Sequence, residues 1–219
     1  MPDRTVTTAA TGRTSAPPDE VTVQLSSNAV EPDVMAARRG VAERAARLRS
    51  VLADAGVPGD RVRTIRFTVT QRPPHRTPHC TRESEDDPES RPYEATETLI
   101  VTLGDLDSVG EVLTAAVDDA GAEVDTVNFG FRTETERELD REAVADAAET
   151  ARKRAEAAAA AEGLRVGDVR SIATDQEAMN RRTASGLGEA LQESGSQGPE
   201  SGPMDVTARV EATYELCEE

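Results

Sequence analysis

From residue 204 to residue 216 apolar and polar side chains alternate without a break. Val206, Ala208, Val210, Ala212, Tyr214 and Leu216 fall on one side of an extended chain, and Thr207, Arg209, Glu211, Thr213 and Glu215 on the other. A period of two marks a β-strand with one buried face. Such a strand needs neighbours for its backbone groups and a layer over its apolar side, so the rest of the chain must supply both.

It does so in a readable order. Residues 5–12 are polar and β-branched, and Val21, Val23 and Leu25 alternate with Thr22, Gln24 and Ser26, which predicts two extended segments. Pro17-Pro18-Asp19 between them is a bend, because proline fixes φ and cannot donate to a ladder. Asp33 offers an N-cap, after which Val34, Ala37, Val41, Ala45, Leu48, Leu52 and Ala55 recur at helical steps until Gly56 and Pro58 stop the helix. Residues 62–70 predict a strand with Ile65, Phe67 and Val69 facing one way. Tyr93, Ala95, Leu99, Val101 and Leu103 predict its hairpin partner, with Glu97 the lone acid on an apolar face. A second helix follows from Leu106, Val109, Leu113, Ala116, Val117 and Ala120, and residues 124–131 read as a strand. The third helix opens on two overlapping capping boxes, Thr133 with Glu136 and Thr135 with Glu138. It carries Ala143, Ala147, Ala151, Ala155 and Ala158, a stripe too small to hold a neighbour at arm's length. Residues 166–174 predict one more short strand.

Two stretches fit neither period. Residues 71–92 form an acidic, proline-rich loop, and 176–204 a Gly/Ser-rich insertion. Both lack the apolar content to offset their ordering entropy. The expected organisation is therefore one α+β domain over residues 4–217, divisible into two lobes, built of βαβ units with three helices on a mixed, largely antiparallel sheet.

With 2 % aromatic residues and no Trp, the interior must be filled by Val, Leu and Ala, which leaves little scope for a large aromatic-lined pocket. The 42 Asp and Glu against 25 Lys and Arg give a net charge of −17, and Lys153 is the lone lysine. A body so anionic repels nucleic acid and anionic membrane. It resembles the acidic, lysine-poor proteins of salt-loving archaea, where at molar salt a Debye length of about 3 Å or less screens self-repulsion. The first 30 residues hold no signal-like apolar run, and nowhere do 18 apolar residues follow one another. A soluble, cytoplasmic protein is expected on that basis. Cys80 and Cys217 do not make a disulfide framework.

The succession of these features resembles the SIMPL domain family. The likeness is carried by the opening Thr5-Val6-Thr7-Thr8-Ala9-Ala10-Thr11-Gly12, the turn Ala16-Pro17-Pro18-Asp19-Glu20-Val21, and Leu52-Ala53-Asp54-Ala55-Gly56-Val57 leading into Val62-Arg63-Thr64. It continues through Tyr93-Glu94-Ala95-Thr96, the stretch from Asp105 to Val117, Val127-Asn128-Phe129-Gly130-Phe131, the alanine-rich third helix and the closing strand. The resemblance implies a layered α+β architecture and, in some bacterial members, large ring-like homo-oligomers. It implies no catalytic residues and no cofactor.

The residues suited to chemistry are few. His75, His79 and Cys80 in the first loop, with Cys217 as a fourth ligand, are soft enough for zinc or copper, but they lack paired CxxC spacing. No phosphate-binding glycine motif of the GxGxxG or GxxxxGK type occurs. Arg38, Arg39, Arg44, Arg47 and Arg49 lie around the polar face of the first helix and read as a solvated face or a subunit contact. Asn128, Arg181 and Arg182 read as structural polar positions. The expectation is a non-enzymatic, self-associating scaffold or protein-binding module with a stress-linked role. The alternative is a small-ligand or metal-binding protein using the 71–92 loop.

Overall fold

The computed structural model describes residues 4–72, 91–175 and 202–218. The chain divides into two compact units.

The first unit contains β1 (Thr5–Ala16), α3 (Thr133–Ala161), β6 (Leu164–Asp175) and β7 (Met204–Glu218). Its sheet has the order β1-β7-β6, with both ladders antiparallel. The closing strand is thus central, and its alternation works as the sequence requires. Ala208, Val210, Ala212 and Tyr214 are buried, while Thr207, Arg209 and Glu211 pair outward with Arg13, Thr11 and Ala9. The alanine stripe of α3 lies on this sheet, with Ala143, Ala147, Ala151, Ala155 and Ala159 all buried. The approach is close enough that a Cβ at Gly12 would stand 2.2 Å from the Ala143 carbonyl oxygen. Thr8 Oγ1 donates 2.8 Å to the Ala151 carbonyl. Side chains of α3 also close the free edge of β1, since Asp146 accepts from the Arg13 amide at 3.0 Å and Arg154 donates to the Ala9 carbonyl at 2.5 Å. A blocked edge of this kind cannot template another strand.

The second unit contains β2 (Glu20–Glu31), α1 (Val34–Asp54), β3 (Val62–Gln71), β4 (Tyr93–Leu103), α2 (Val109–Asp118) and β5 (Glu123–Gly130), whose last residue falls in the first unit. Its sheet order is β3-β4-β2-β5, with β3·β4 and β4·β2 antiparallel. On the fourth strand, Asp125 accepts from Ser26 Oγ, and Glu123 accepts from Asn28 Nδ2 at 2.9 Å. Partners that ascend on β2 while descending on β5 give the same antiparallel sense.

Helix α1 covers one face of this sheet with Ala37, Val41, Ala45, Leu48 and Leu52 buried. Asp33 caps it through Oδ1, which accepts from the Ala36 amide at 2.9 Å. Gly56, at φ 84°, takes the left-handed conformation that ends the helix. Helix α2 is phased differently from the sequence expectation. It buries Val109, Val112 and Ala116, and leaves Val117 42 % exposed.

The architecture is α+β, three helices on antiparallel sheets as expected, with the strands distributed over two sheets. Residues 73–90 of the first loop, and 176–201 of the insertion, lie outside the described residues.

Candidate functional site

The residues that could carry chemistry fall into three clusters and two exposed strand edges. The first cluster surrounds Glu97, the acid out of place on an apolar strand face. Its Oε1 accepts from Arg49 Nη2 at 2.5 Å and from Thr64 Oγ1 at 2.9 Å, and Arg49 also donates 2.8 Å to Thr64. The Glu97 side chain is 12 % exposed and that of Arg49 42 %. A carboxylate enclosed this far needs a charged partner. Arg49 supplies it, so the cluster fastens α1, β3 and β4 together.

The second cluster lies on the opposite face of the same sheet. Ser26 and Thr98 are buried, their hydroxyls are 3.2 Å apart, and Ser26 donates to the exposed Asp125. A serine hydroxyl becomes a nucleophile when an adjacent base takes its proton. Its partner here is a carboxylate, and the two imidazoles of the chain, His75 and His79, lie outside the described residues.

The third cluster forms at the N-terminus of α3. Asp19 Oδ1 accepts from the Arg132 amide at 2.7 Å, and Oδ2 accepts from Thr135 Oγ1 at 2.6 Å. Burial alone would raise the pKa of this carboxyl. The bonds from Thr135 and the Arg132 backbone, with the Arg132 charge, outweigh that and hold it below the ordinary 3.8. The two capping boxes expected from sequence are replaced by this arrangement. Thr133 is already inside the helix, Arg132 occupies the N-cap without a side-chain cap bond, and the carboxylate comes from a residue 113 positions earlier.

A small pocket of about 230 Å³ opens beside the end of α1, lined among others by Gly56, Pro58, Arg61, Asp105, Ser108 and Val112. Pockets for drug-sized ligands occupy roughly 300–1,000 Å³, so it falls below that range. Among the described residues no three His, Cys, Asp or Glu side chains come together in a metal-binding group. Of the proposed ligand set, Cys217 is a free, exposed thiol on β7, and His75, His79 and Cys80 lie outside the described residues.

The arginines of α1 are spread over several tasks. Arg44 donates to the Asn28 carbonyl, Arg49 binds Glu97, and Arg38, Arg39 and Arg47 are exposed. Asn128 is exposed on β5. Arg181 and Arg182 lie outside the described residues.

The strand edges were the features least visible beforehand. On β3, Ile65 is 49 % and Phe67 46 % exposed; on β6, Val169 is 43 % and Ile172 55 % exposed. Both are edge strands of ten or more residues. Ile65, Phe67 and Val69 were expected to face one way. The bulge between Thr64 and Arg66 takes Ile65 out of the register, and the edge position leaves Phe67 with a strand partner, Glu97, on one flank alone.

No helix among the described residues is long and apolar enough to cross a membrane. No curated protein matches the chain significantly. The model of the SIMPL family, described as a protein of unknown function (DUF541), matches residues 6–214, from the second residue of β1 to Tyr214 of β7. The chain belongs to the SIMPL family.

Proposed function

We propose that this SIMPL-domain protein is non-enzymatic and self-associates to act as a scaffold or protein-binding module of a salt-adapted cytoplasm, with a role under stress. One observation carries the self-association: long strands at the ends of their sheets that expose large apolar side chains, Ile65 and Phe67 on β3 and Val169 and Ile172 on β6. Monomeric proteins blunt such edges, as α3 does for β1 here. The polar clusters support the non-enzymatic reading, because Glu97, Asp19 and Arg49 are each committed to bonds that hold elements together. The salt adaptation rests on the net charge of −17, and the stress role on the family resemblance alone.

Size-exclusion chromatography with light scattering, in buffer of molar salt, tests the reading. A mass clearly above 23.4 kDa is expected, and 23.4 kDa at every concentration would overturn it.

A further inference from the structure

The sheet of the second unit has edges of opposite character. From Arg61 to Arg72 the β3 edge carries Arg61, Arg63, Arg66 and Arg72 and no carboxylate, within a chain whose net charge is −17. Arg72 pairs with Glu94 at 3.4 Å. Among the described residues no carboxylate pairs with Arg63 or Arg66, and both are exposed. The opposite edge, β5, carries Glu123 and Asp125 and no base.

Register places these charges on one face. Arg66 stands opposite Thr98, and Ser26, which also stands opposite Thr98, donates to Asp125. Directly opposed residues share a face, so Arg66 and Asp125 project from the same side of the sheet. Phe67, opposite Glu97, projects from the other side, as does Val124, the neighbour of Asp125. Val124 is 39 % exposed and Phe67 46 %. The basic edge thus has its exposed apolar side chain on the same face as the acidic edge has its own.

We infer that β3 of one copy pairs with β5 of the next, continuing the four-stranded sheet from molecule to molecule. This rests on the self-association reading and specifies its interface. The strand directions permit it. Since β3, β4, β2 and β5 alternate in sense, a second copy in the same orientation brings its β5 antiparallel to β3 with both faces preserved. In the register that sets Arg66 beside Asp125 of the neighbouring copy, Phe67 comes beside Val124 and Thr68 beside Glu123; past the bulge, where Ile65 is the extra residue, Thr64, Arg63 and Val62 meet Thr126, Val127 and Asn128. Ladder hydrogen bonds then form between the two edge strands. The interface is head-to-tail, so the assembly is a closed ring where the sheet twist brings the ends together and a filament where it does not.

The test uses full-length protein carrying Cys80→Ser and Cys217→Ser. Two variants of it, Phe67→Cys and Val124→Cys, are oxidised separately and as a mixture at a concentration where light scattering shows association. A disulfide-linked dimer in the mixture and little in either variant alone is expected. In parallel, Arg66→Asp should weaken association on the order of tenfold per interface, and Arg66→Asp combined with Asp125→Arg should restore it. Thermal melts confirm that each variant is folded. If the protein associates but neither cross-link nor charge-swap rescue appears, this interface is wrong and the self-association stands. If the protein is monomeric throughout, both fail.

Discussion

A β-carbon placed on Gly12 would lie 2.4 Å from the amide nitrogen of Ala147, well inside the 3.0 Å below which non-bonded β-carbons essentially never come. Strand β1 and helix α3 are in backbone contact there. That contact explains why the buried face of α3 is alanine from Ala143 to Ala159. Gly12→Ala should cost at least about 3 kcal/mol, the upper part of the range for overpacking, because the obstructing atoms are backbone and cannot rotate away. Urea unfolding measures it; a loss below about 1 kcal/mol would mean that the helix stands further off.

The Arg49–Glu97 pair makes a different kind of test. Arg49→Ala leaves a carboxylate that is 12 % exposed with Thr64 as its remaining side-chain partner, and should cost about 1–2 kcal/mol, discounted because the arginine itself is 42 % exposed. Glu97→Leu in that background should recover most of the loss, since removing both charges leaves nothing unpaired. Denaturation of the two single variants and the double variant closes the cycle, and strict additivity would contradict the coupling.

Asp19 gives a pH dependence with a definite sign. Its folded pKa lies below the ordinary 3.8, so its stabilisation is fully present above that value and is lost as pH falls through the folded one. Asp19→Ala should cost about 1 kcal/mol near neutral pH, in the range of a lost helix cap. The gap between variant and parent should narrow below the ordinary carboxylate pKa. A gap constant down to the acid transition would show that the carboxylate charge plays no part.

Charge balance makes salt a stabiliser. Going from 0.1 M to 1 M salt shortens the Debye length from about 10 Å to about 3 Å and relieves the repulsion of a body at −17. The melting temperature should rise over that interval. A flat or falling profile would contradict the salt-adapted reading.

These tests also show which parts of the molecule the sequence exposes. Strand β7 was legible because alternation is a local signal and its central place buries one complete face; Ala208, Val210, Ala212 and Tyr214 are where the period puts them. Helix α1 was legible for the same reason, from the Asp33 cap to Gly56. Glu97 was conspicuous as an acid on an apolar face. Its partner was hidden, because Arg49 is 48 residues away and shares a helix with four other arginines. The capping boxes of α3 misled because a local pattern competed with a carboxylate brought from Asp19 by the fold. Edge exposure at Ile65 and Phe67 was illegible in principle. It depends on strand order and a bulge, which are properties of the sheet and not of the ten residues that make the strand.

Hydrogen–deuterium exchange at rising protein concentration tests the edge-pairing account most directly. Peptides covering β3 and β5 should become protected as association sets in, while peptides from the central strand β7 remain slow throughout. Exchange in β3 and β5 that is unchanged from the lowest to the highest concentration, in a sample that does associate, would contradict it.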